Sequence, residues 1–210
     1  MPSATVVLAT CNKGKIRELK LLLAPFGAVT VGLDAFPSIG DLEENGADFT
    51  ENALSKARAV CAVTGLPAVA DDSGLEVEGL GGAPGVRSAR YASVDGKDAP
   101  DAANVEKLLR ELSGMHGEKR RARFRCVMAA CAPNGESITA EGTWEGMIAE
   151  QASGNNGFGY DPVFFDPVSG LTAAQMTAAE KNKRSHRAEA ASGLLRLWPA
   201  FWDAILGQRG

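Results

Sequence analysis

Histidine is nearly absent from this 210-residue chain, which has only His116 and His186. The four cysteines, Cys11, Cys61, Cys126 and Cys131, form no Cys-x-x-Cys pair. That combination argues against a zinc site and for a reduced protein with free thiols. No apolar stretch approaches the ~20 residues needed to cross a bilayer. The N-terminus, Met-Pro-Ser-Ala-Thr-Val-Val-Leu-Ala, lacks the basic segment and the longer apolar run of a secretion signal. A soluble, cytoplasmic chain is expected. Positive charge is not in surplus: the formal net charge is −4, which argues against non-specific affinity for nucleic acid polymers. Small anionic ligands remain open, because a local pocket can be basic inside an acidic protein. Repeats, low-complexity tracts and long linkers are missing, and so is a GxxxxGK[ST] phosphate loop. What is present is ordinary globular composition, 45% apolar and 23% charged. The length suits one well-buried α/β domain, with or without a subsidiary lobe.

The stretch from Ala68 to Tyr91 organises the rest. A short apolar strand, Pro67 to Ala70, is expected to break off at Asp71-Asp72-Ser73-Gly74. It resumes with Leu75 and Val77 on one face and Glu76 and Glu78 on the other. Two adjacent acids at the end of an apolar strand are costly to bury unless something cationic faces them. A hard metal ion with oxygen ligands is one candidate, and Glu43 or Glu44, in the acidic loop 41–46, could add a carboxylate to it. A plain acidic turn between strands is the alternative. For Asp71, a metal role and a structural bond to backbone or to a nearby arginine both stay open. Beyond the acids, five glycines lie between Gly74 and Gly85, followed by Arg87 and Arg90, side chains suited to phosphate or carboxylate.

Ahead of that stretch, Thr5 to Ala9 reads as a strand covered on both faces. It leads through Thr10-Cys11-Asn12-Lys13-Gly14-Lys15 into a helix with Ile16, Leu19, Leu22 and Leu23 on one side. A polar, glycine-containing loop at a helix N-terminus favours anions. Ala28 to Leu33 reads as a second strand with Val29, Val31 and Leu33 inward, and Asp48 and Glu51 open a helix to about Thr64 as a capping box. Downstream, a helix starts after Asp98-Ala-Pro100. A strand with a basic outer face (Arg121, Arg123, Arg125) follows, turns at 133–136 and returns through Trp144. Ser153 to Pro162 is a second glycine-rich loop bearing two aromatics and an acid, and Val163 to Phe165 is a short strand. Thr177 to Glu180 is a second capping box, before five basic groups between Lys181 and Arg187. In the final helix, Pro199 is expected to kink or split the run from Ala191 to Ile205.

Four separated stretches, Thr10-x-Asn12-x-x-Lys15, Ala70-Asp-Asp-Ser-Gly74, Gly157-Phe-Gly-Tyr-Asp-Pro162 and Ser185-His-Arg187, occur here in an order and spacing that resembles the inosine/xanthosine triphosphate pyrophosphatase family. Glu44-Asn-Gly, Phe49-x-Glu-Asn-Ala53 and Gly81-Gly-Ala-Pro-Gly85 are similar to that family too. Cys11 and Asn155-Asn156 depart from its usual pattern without replacing a chemical group the mechanism needs. The resemblance implies a single nucleoside-triphosphate pyrophosphatase domain over residues 1–210. Its fold would be α/β, with a long mixed central β-sheet flanked by helices and two lobes with the nucleotide site in the cleft between them. It also implies a homodimer, Mg²⁺ and the reaction NTP + H₂O → NMP + pyrophosphate on deaminated purine nucleotides (ITP, dITP, XTP). By family position, Thr10, Cys11, Asn12, Lys13, Gly14 and Lys15 would bind triphosphate. Asp72 would be the catalytic base and, with Glu44, a metal ligand; Ser73 would touch substrate. Phe158, Gly159, Tyr160, Asp161, Lys181, His186 and Arg187 would hold the base and phosphates.

The chemistry is consistent with that role. Attack at the α-phosphorus needs an oriented water, a base and charge neutralisation on the leaving pyrophosphate. Asp72 can serve as base, Lys13, Lys15 and Lys181 can screen the triphosphate, and Phe158 offers a face for the purine. His186 could contact nucleotide or cap the helix that Ser185-His186 opens. Three other classes compete. A nucleotide sensor without turnover could dispense with Asp72; a nuclease or RNA-binding protein would have to act against net negative charge; a phosphatase releasing orthophosphate from the γ position is separated only by its product.

Overall fold

A computed structural model describes residues 5–24, 29–40, 42 and 44–206, with the backbone alone for 22, 23 and 204–206. Ala28 of the expected second strand, Asp41 and Glu43 of the acidic loop, and the side chains of Leu22, Leu23 and Ile205 lie outside the described residues. Among the described residues seven strands form one mixed sheet in the order β2-β1-β3-β4-β5-β6-β7. In chain order these are β1 (Thr5–Leu8), β2 (Val29–Val31), β3 (Ala68–Val77), β4 (Arg121–Cys131), β5 (Ser137–Ile148), β6 (Phe164–Asp166) and β7 (Leu171–Thr172). β1 runs parallel to β2 and β3, whereas β5, β6 and β7 are antiparallel neighbours. The helices are α1 (Lys13–Leu23), α2 (Phe49–Thr64), α3 (Asp101–Glu111), α4 (Ala178–Lys181) and α5 (His186–Leu206).

The chain divides into two compact units, each with its own apolar core. The first comprises Met1–Asp72, Cys126–Gly142 and Arg187–Gly210. There Leu19 of α1 and Ala190, Ala191, Leu194, Trp198, Phe201 and Trp202 of α5 pack on Val6, Leu8, Val69, Cys126 and Met128 of the strands. The second comprises Ser73–Arg125 and Thr143–His186. Its core joins Leu108 and Leu112 of α3 to Leu75, Val77, Ala122, Phe124, Trp144, Ile148 and Phe164. Within it, the buried Arg120 donates to the carbonyls of Ile148 (2.7 Å), Leu112 (3.1 Å), Met115 (3.3 Å) and Ala149 (2.8 Å), tying the end of α3 to the end of β5.

Three expectations are corrected. β3 does not break at the acids: it runs unbroken through Asp71, Asp72, Ser73 and Gly74. Buried acids end a strand only when their charge is unpaired, and these two have cations beside them. β2 is shorter than expected, ending at Val31, with Val29 half exposed and Leu33 buried from a 3₁₀ turn. Of the two outcomes expected in α5, a kink or a split, the split does not occur at Pro199. One helix passes through it, because the apolar side chains on both sides of the proline lie in the same core and offset one missing backbone hydrogen bond. Half of the expected Asp48–Glu51 box is formed. The Asp48 carboxylate accepts from Glu51 N–H at 2.9 Å to open α2, and the Glu51 carboxylate reaches back to Ala47 N–H at 2.9 Å, one residue before the cap. Gly65 closes the helix at φ 65°. The Thr177–Glu180 capping box is formed.

Candidate active site

In the first unit the two acids of β3 point to opposite sides of the strand, and each meets different company. Asp71 is fully buried. Its Oδ2 lies 3.1 Å from Arg187 Nε and 3.3 Å from Lys15 Nζ, and Arg187 Nη1 also donates to Glu18. Burial alone would push this carboxyl up, but Lys15, Arg187 and Lys56 outweigh it and hold it well below the usual carboxylate range. The same carboxylates hold the Arg187 guanidinium firmly charged against its burial.

Asp72 faces α2. Its Oδ1 accepts from Lys56 Nζ at 3.0 Å and its Oδ2 from Asn52 Nδ2 at 3.0 Å. Lys56 Nζ also donates to Glu44 Oε1 at 2.5 Å, so one ammonium serves two carboxylates. Burial pushes the Asp72 carboxyl up; Lys56 and Lys15 pull it back only in part, and Glu44 pushes the same way as burial, leaving it above its ordinary value. Lys56 ends above the ordinary lysine value, since Asp72, Glu44 and Asp71 overcome its burial. Asn52 is oriented from behind: Gly46 N–H donates to its Oδ1 at 2.8 Å. A Cβ at Gly46 would meet Asn52 Oδ1 at 2.7 Å and Glu51 Cβ at 2.8 Å, so that approach requires glycine.

Asn52 and Lys56 are the residues the sequence reading missed, although a signal was present. They occupy the same i, i+3, i+4 stripe as Phe49, Ala53, Ala57 and Val60, all buried. Two polar residues one turn apart on an apolar stripe should have a buried partner, and Asp72 of β3 is that partner.

At the N-terminus of α1, Thr10 Oγ1 accepts from Asn12 N–H (3.2 Å), and the Asn12 side chain caps Gly14 N–H (2.9 Å) and Lys15 N–H (3.1 Å). Cys11, Asn12 and Lys13 are exposed, Gly14 is buried, and Lys15 turns inward to Asp71. In this unit the structure thus brings Lys15, Asp71 and Arg187 together on one side of β3, and Glu44 and Asp72 on the other. Arg187, expected at the purine, is buried with both Nε and Nη1 on carboxylates.

The second unit holds the other expected residues. Asp161 is their hub: its Oδ2 accepts from Phe158 N–H at 2.9 Å and from Lys181 Nζ at 2.6 Å. That ammonium lies 4.9 Å from the centre of the Phe158 ring, a cation over an aromatic face. Gly159 N–H donates to Asp101 Oδ2 at 2.6 Å, and the buried Tyr160 hydroxyl to Ser88 O at 2.9 Å. Asn156 bridges from its backbone N–H to Ala174 O and from Nδ2 to Met176 O, both at 3.0 Å. Ser73 is half-buried. His186 is buried and stacks on Phe124, with ring centres 4.8 Å apart.

Among the described residues no group of three or more His, Cys, Asp and Glu could hold a metal ion by itself. Asp72 with Glu44 nevertheless fits a small hard divalent cation. Both offer oxygen, they already share one cation, and Mg²⁺ is commonly held by one or two carboxylates with substrate phosphates completing its shell. Among the described residues no helix is long and apolar enough to cross a membrane.

Comparison with known proteins agrees over nearly the whole length. A sequence model of the Ham1 family matches residues 6–197. The dITP/XTP pyrophosphatase of Nitratidesulfovibrio vulgaris is 58% identical over 206 residues, covering 96% of this chain and 99% of that one. The enzyme of the same name from Bacillus licheniformis is 49% identical, covering 91% and 96%. Among solved structures, a HAM1 protein from Coxiella burnetii superposes with a TM-score of 0.83 at 42% identity, covering 94% and 99%.

Proposed function

The chain belongs to the Ham1 family, and on that premise we propose that it hydrolyses deaminated purine nucleoside triphosphates (ITP, dITP and XTP) to the monophosphate and pyrophosphate, with Mg²⁺. The observation that carries the reading is the Asp72–Lys56–Glu44 arrangement: two carboxylates with one ammonium between them, Asp72 coming from the middle of the buried β3. A fully neutralised acid like Asp71 is a poor base. Asp72, held above the ordinary carboxylate value, can take a proton from water. Asn52 and Lys56 fix the plane of its carboxylate so that the remaining lone pairs have a set direction.

Asp72 orients the water for in-line attack at the α-phosphorus and accepts its proton as the P–O bond to pyrophosphate breaks. Asp72 and Glu44 would hold Mg²⁺, which when bound would supply positive charge beside the triphosphate and lower the pKa of nearby water. Thr10 to Lys15 receive phosphate oxygens at the start of α1, where the helix dipole and the exposed Lys13 favour negative charge. The phosphates compete there with Asp71 for Lys15 and with Asn12 for the Gly14 and Lys15 N–H groups. Ser73 adds a hydroxyl donor. Phe158 offers a face to the purine, with Lys181 supplying positive charge beside it, and Gly159, Tyr160, Asp161 and His186 shape that pocket. For Arg187 to read purine O6, the purine would have to compete with Asp71 and Glu18. If it does, Arg187→Ala lowers kcat/KM for ITP much more than for ATP; an unchanged ratio makes Arg187 purely the counter-ion of Asp71. The reading also expects a homodimer in the cytoplasm, which light scattering and cell fractionation test.

The test of the reaction is product identity. Hydrolysis of ITP in ¹⁸O-water with Mg²⁺ should give pyrophosphate and labelled IMP. Label in released orthophosphate would instead place attack at the γ-phosphorus and make the protein a phosphatase.

A further inference from the structure

The aromatic loop of the second unit is tied to a residue that no part of the proposed site includes. Asp101 is the first residue of α3, exposed at the surface, and its carboxylate takes Gly159 N–H at 2.6 Å across 58 positions of sequence. Phe158 sits just before that bond. Its own N–H is held by Asp161 Oδ2 at 2.9 Å, and its carbonyl accepts from Asp161 N–H at 3.3 Å. The peptide planes on both sides of the Phe158 Cα are therefore anchored, one by Asp161 and the next by Asp161 and Asp101 together. Fixing both planes fixes φ and ψ of Phe158, and with them the direction of its Cα–Cβ bond and the space its ring can reach. Gly157 (φ 78°) and Gly159 (φ 62°) flank it in the left-handed region, where the chain has no stiffness of its own to supply.

Asp101 is well placed to act as an anchor despite its exposure. One turn along α3, the buried Asn104 donates to Ala89 O at 3.0 Å and accepts from Ala92 N–H at 2.8 Å, and Leu108 lies in the core. The helix start is thus held from behind, and Asp101 projects from a rigid base. An acid in the first turn also suits the helix dipole, so the test has to separate that ordinary role from the anchoring one.

We infer that Asp101 is a positioning residue for the purine: through Gly159 N–H it presets the Phe158 ring for stacking. This rests on the reading of Phe158 as the purine-stacking side chain. A ring that must be ordered on binding loses affinity, whereas one ordered beforehand does not. The step of phosphoryl transfer does not involve Asp101, so the effect falls on KM.

The experiment compares ITP kinetics and melting temperatures of the full-length protein with Asp101→Ala, Asp101→Asn, Phe158→Ala and the Asp101→Ala/Phe158→Ala double variant. Asp101→Ala should raise KM about threefold to tenfold with kcat within about twofold. Asp101→Asn, which keeps an acceptor oxygen, should recover most of the loss. The double variant should be no worse than Phe158→Ala alone. Should Asp101→Ala not fold, Asp101→Ser keeps a favourable helix start yet is too short to reach Gly159. A wild-type KM in Asp101→Ala beside a raised KM in Phe158→Ala overturns the inference and leaves the stacking reading intact. A lowered melting temperature without a KM change assigns Asp101 to the helix dipole. An equal KM effect with and without the Phe158 ring means that Asp101 acts elsewhere. An unchanged KM in Phe158→Ala removes the stacking reading and the inference with it.

Discussion

Asp71 and Asp72 are neighbours on one strand, both buried, and the two faces of that strand treat them differently. On one face Asp71 has Lys15 and Arg187 against it, with Glu18 sharing the guanidinium. On the other, Asp72 and Glu44 share Lys56. Desolvation pushes both carboxyls up, yet Asp71 ends well below the ordinary value and Asp72 above it. The ratio of cations to acids makes the difference. A neutralised carboxylate cements the fold, whereas one left short of positive charge can still take a proton or a cation. On the proposed function, these adjacent residues separate structure from chemistry.

The largest expected effect breaks the chemical face alone. Asp72→Asn should lower kcat on ITP by about 10²- to 10⁴-fold, the usual worth of a general base. Equilibrium binding of ITP should stay near wild type, and the protein should stay folded. A variant retaining a tenth of the rate would show that the base is another residue. The structural face responds in the opposite way. Arg187→Met strands Asp71 and Glu18 without their guanidinium and should cost about 3–5 kcal/mol in urea unfolding, the penalty for breaking a buried pair. A loss below about 1 kcal/mol would erase the distinction between the faces.

Mg²⁺ sharpens the contrast further. In excess it should raise the melting temperature, with about 2.7 kcal/mol gained at 100 times its dissociation constant. Glu44→Gln and Asp72→Asn should shrink that gain, and Lys56→Met should enlarge it by removing the competing ammonium. An equal gain in all four proteins would place the ion elsewhere. The smallest effect lies in acid. Because the folded pKa of Asp71 is depressed, its contribution is present above the ordinary carboxylate value and fades as pH falls below about 4. The unfolded chain binds more protons in that window, so stability should drop by at most about 1.4 kcal/mol per pH unit from this group. Arg187→Met should flatten that slope, as urea midpoints between pH 4 and 2.5 would show.

The elements whose ends carry their own chemistry were legible in the sequence: Asp48 and Gly65 around α2, the Thr177–Glu180 box, and the hairpin at Asn134-Gly135. So were the positions of the acid pair and of both glycine-rich loops. What could not be read was which charges pair. Arg187 lies 116 positions from Asp71, and nothing local to Ser185-His186-Arg187 distinguishes a salt bridge from a ligand contact. The break expected in β3 failed for the same reason, since two acids look unburiable until Lys15, Arg187 and Lys56 are known to face them. Asn52 and Lys56 needed only a stricter reading of the helical stripe. Asp101 needed the fold, because its single bond to Gly159 N–H leaves no trace in composition or periodicity.

Asn156 offers a view of how this protein ages. Asparagine followed by glycine is the sequence context most prone to losing its amide, because glycine lets the next backbone nitrogen swing onto the side-chain carbonyl. Asn156-Gly157 is such a pair, and its Nδ2 is the donor to Met176 O. Conversion to a carboxylate would set an acceptor against a carbonyl, and the rearranged linkage would lengthen the backbone by one atom, two residues before Phe158. The bonds to Ala174 O and Met176 O, which pin the residue, also keep it from the bent geometry that the reaction requires. The storage life of this loop is set by how often those two bonds open together. Peptide mapping of protein kept warm, with and without bound nucleotide, should show the damage at Asn156 slowed by the ligand.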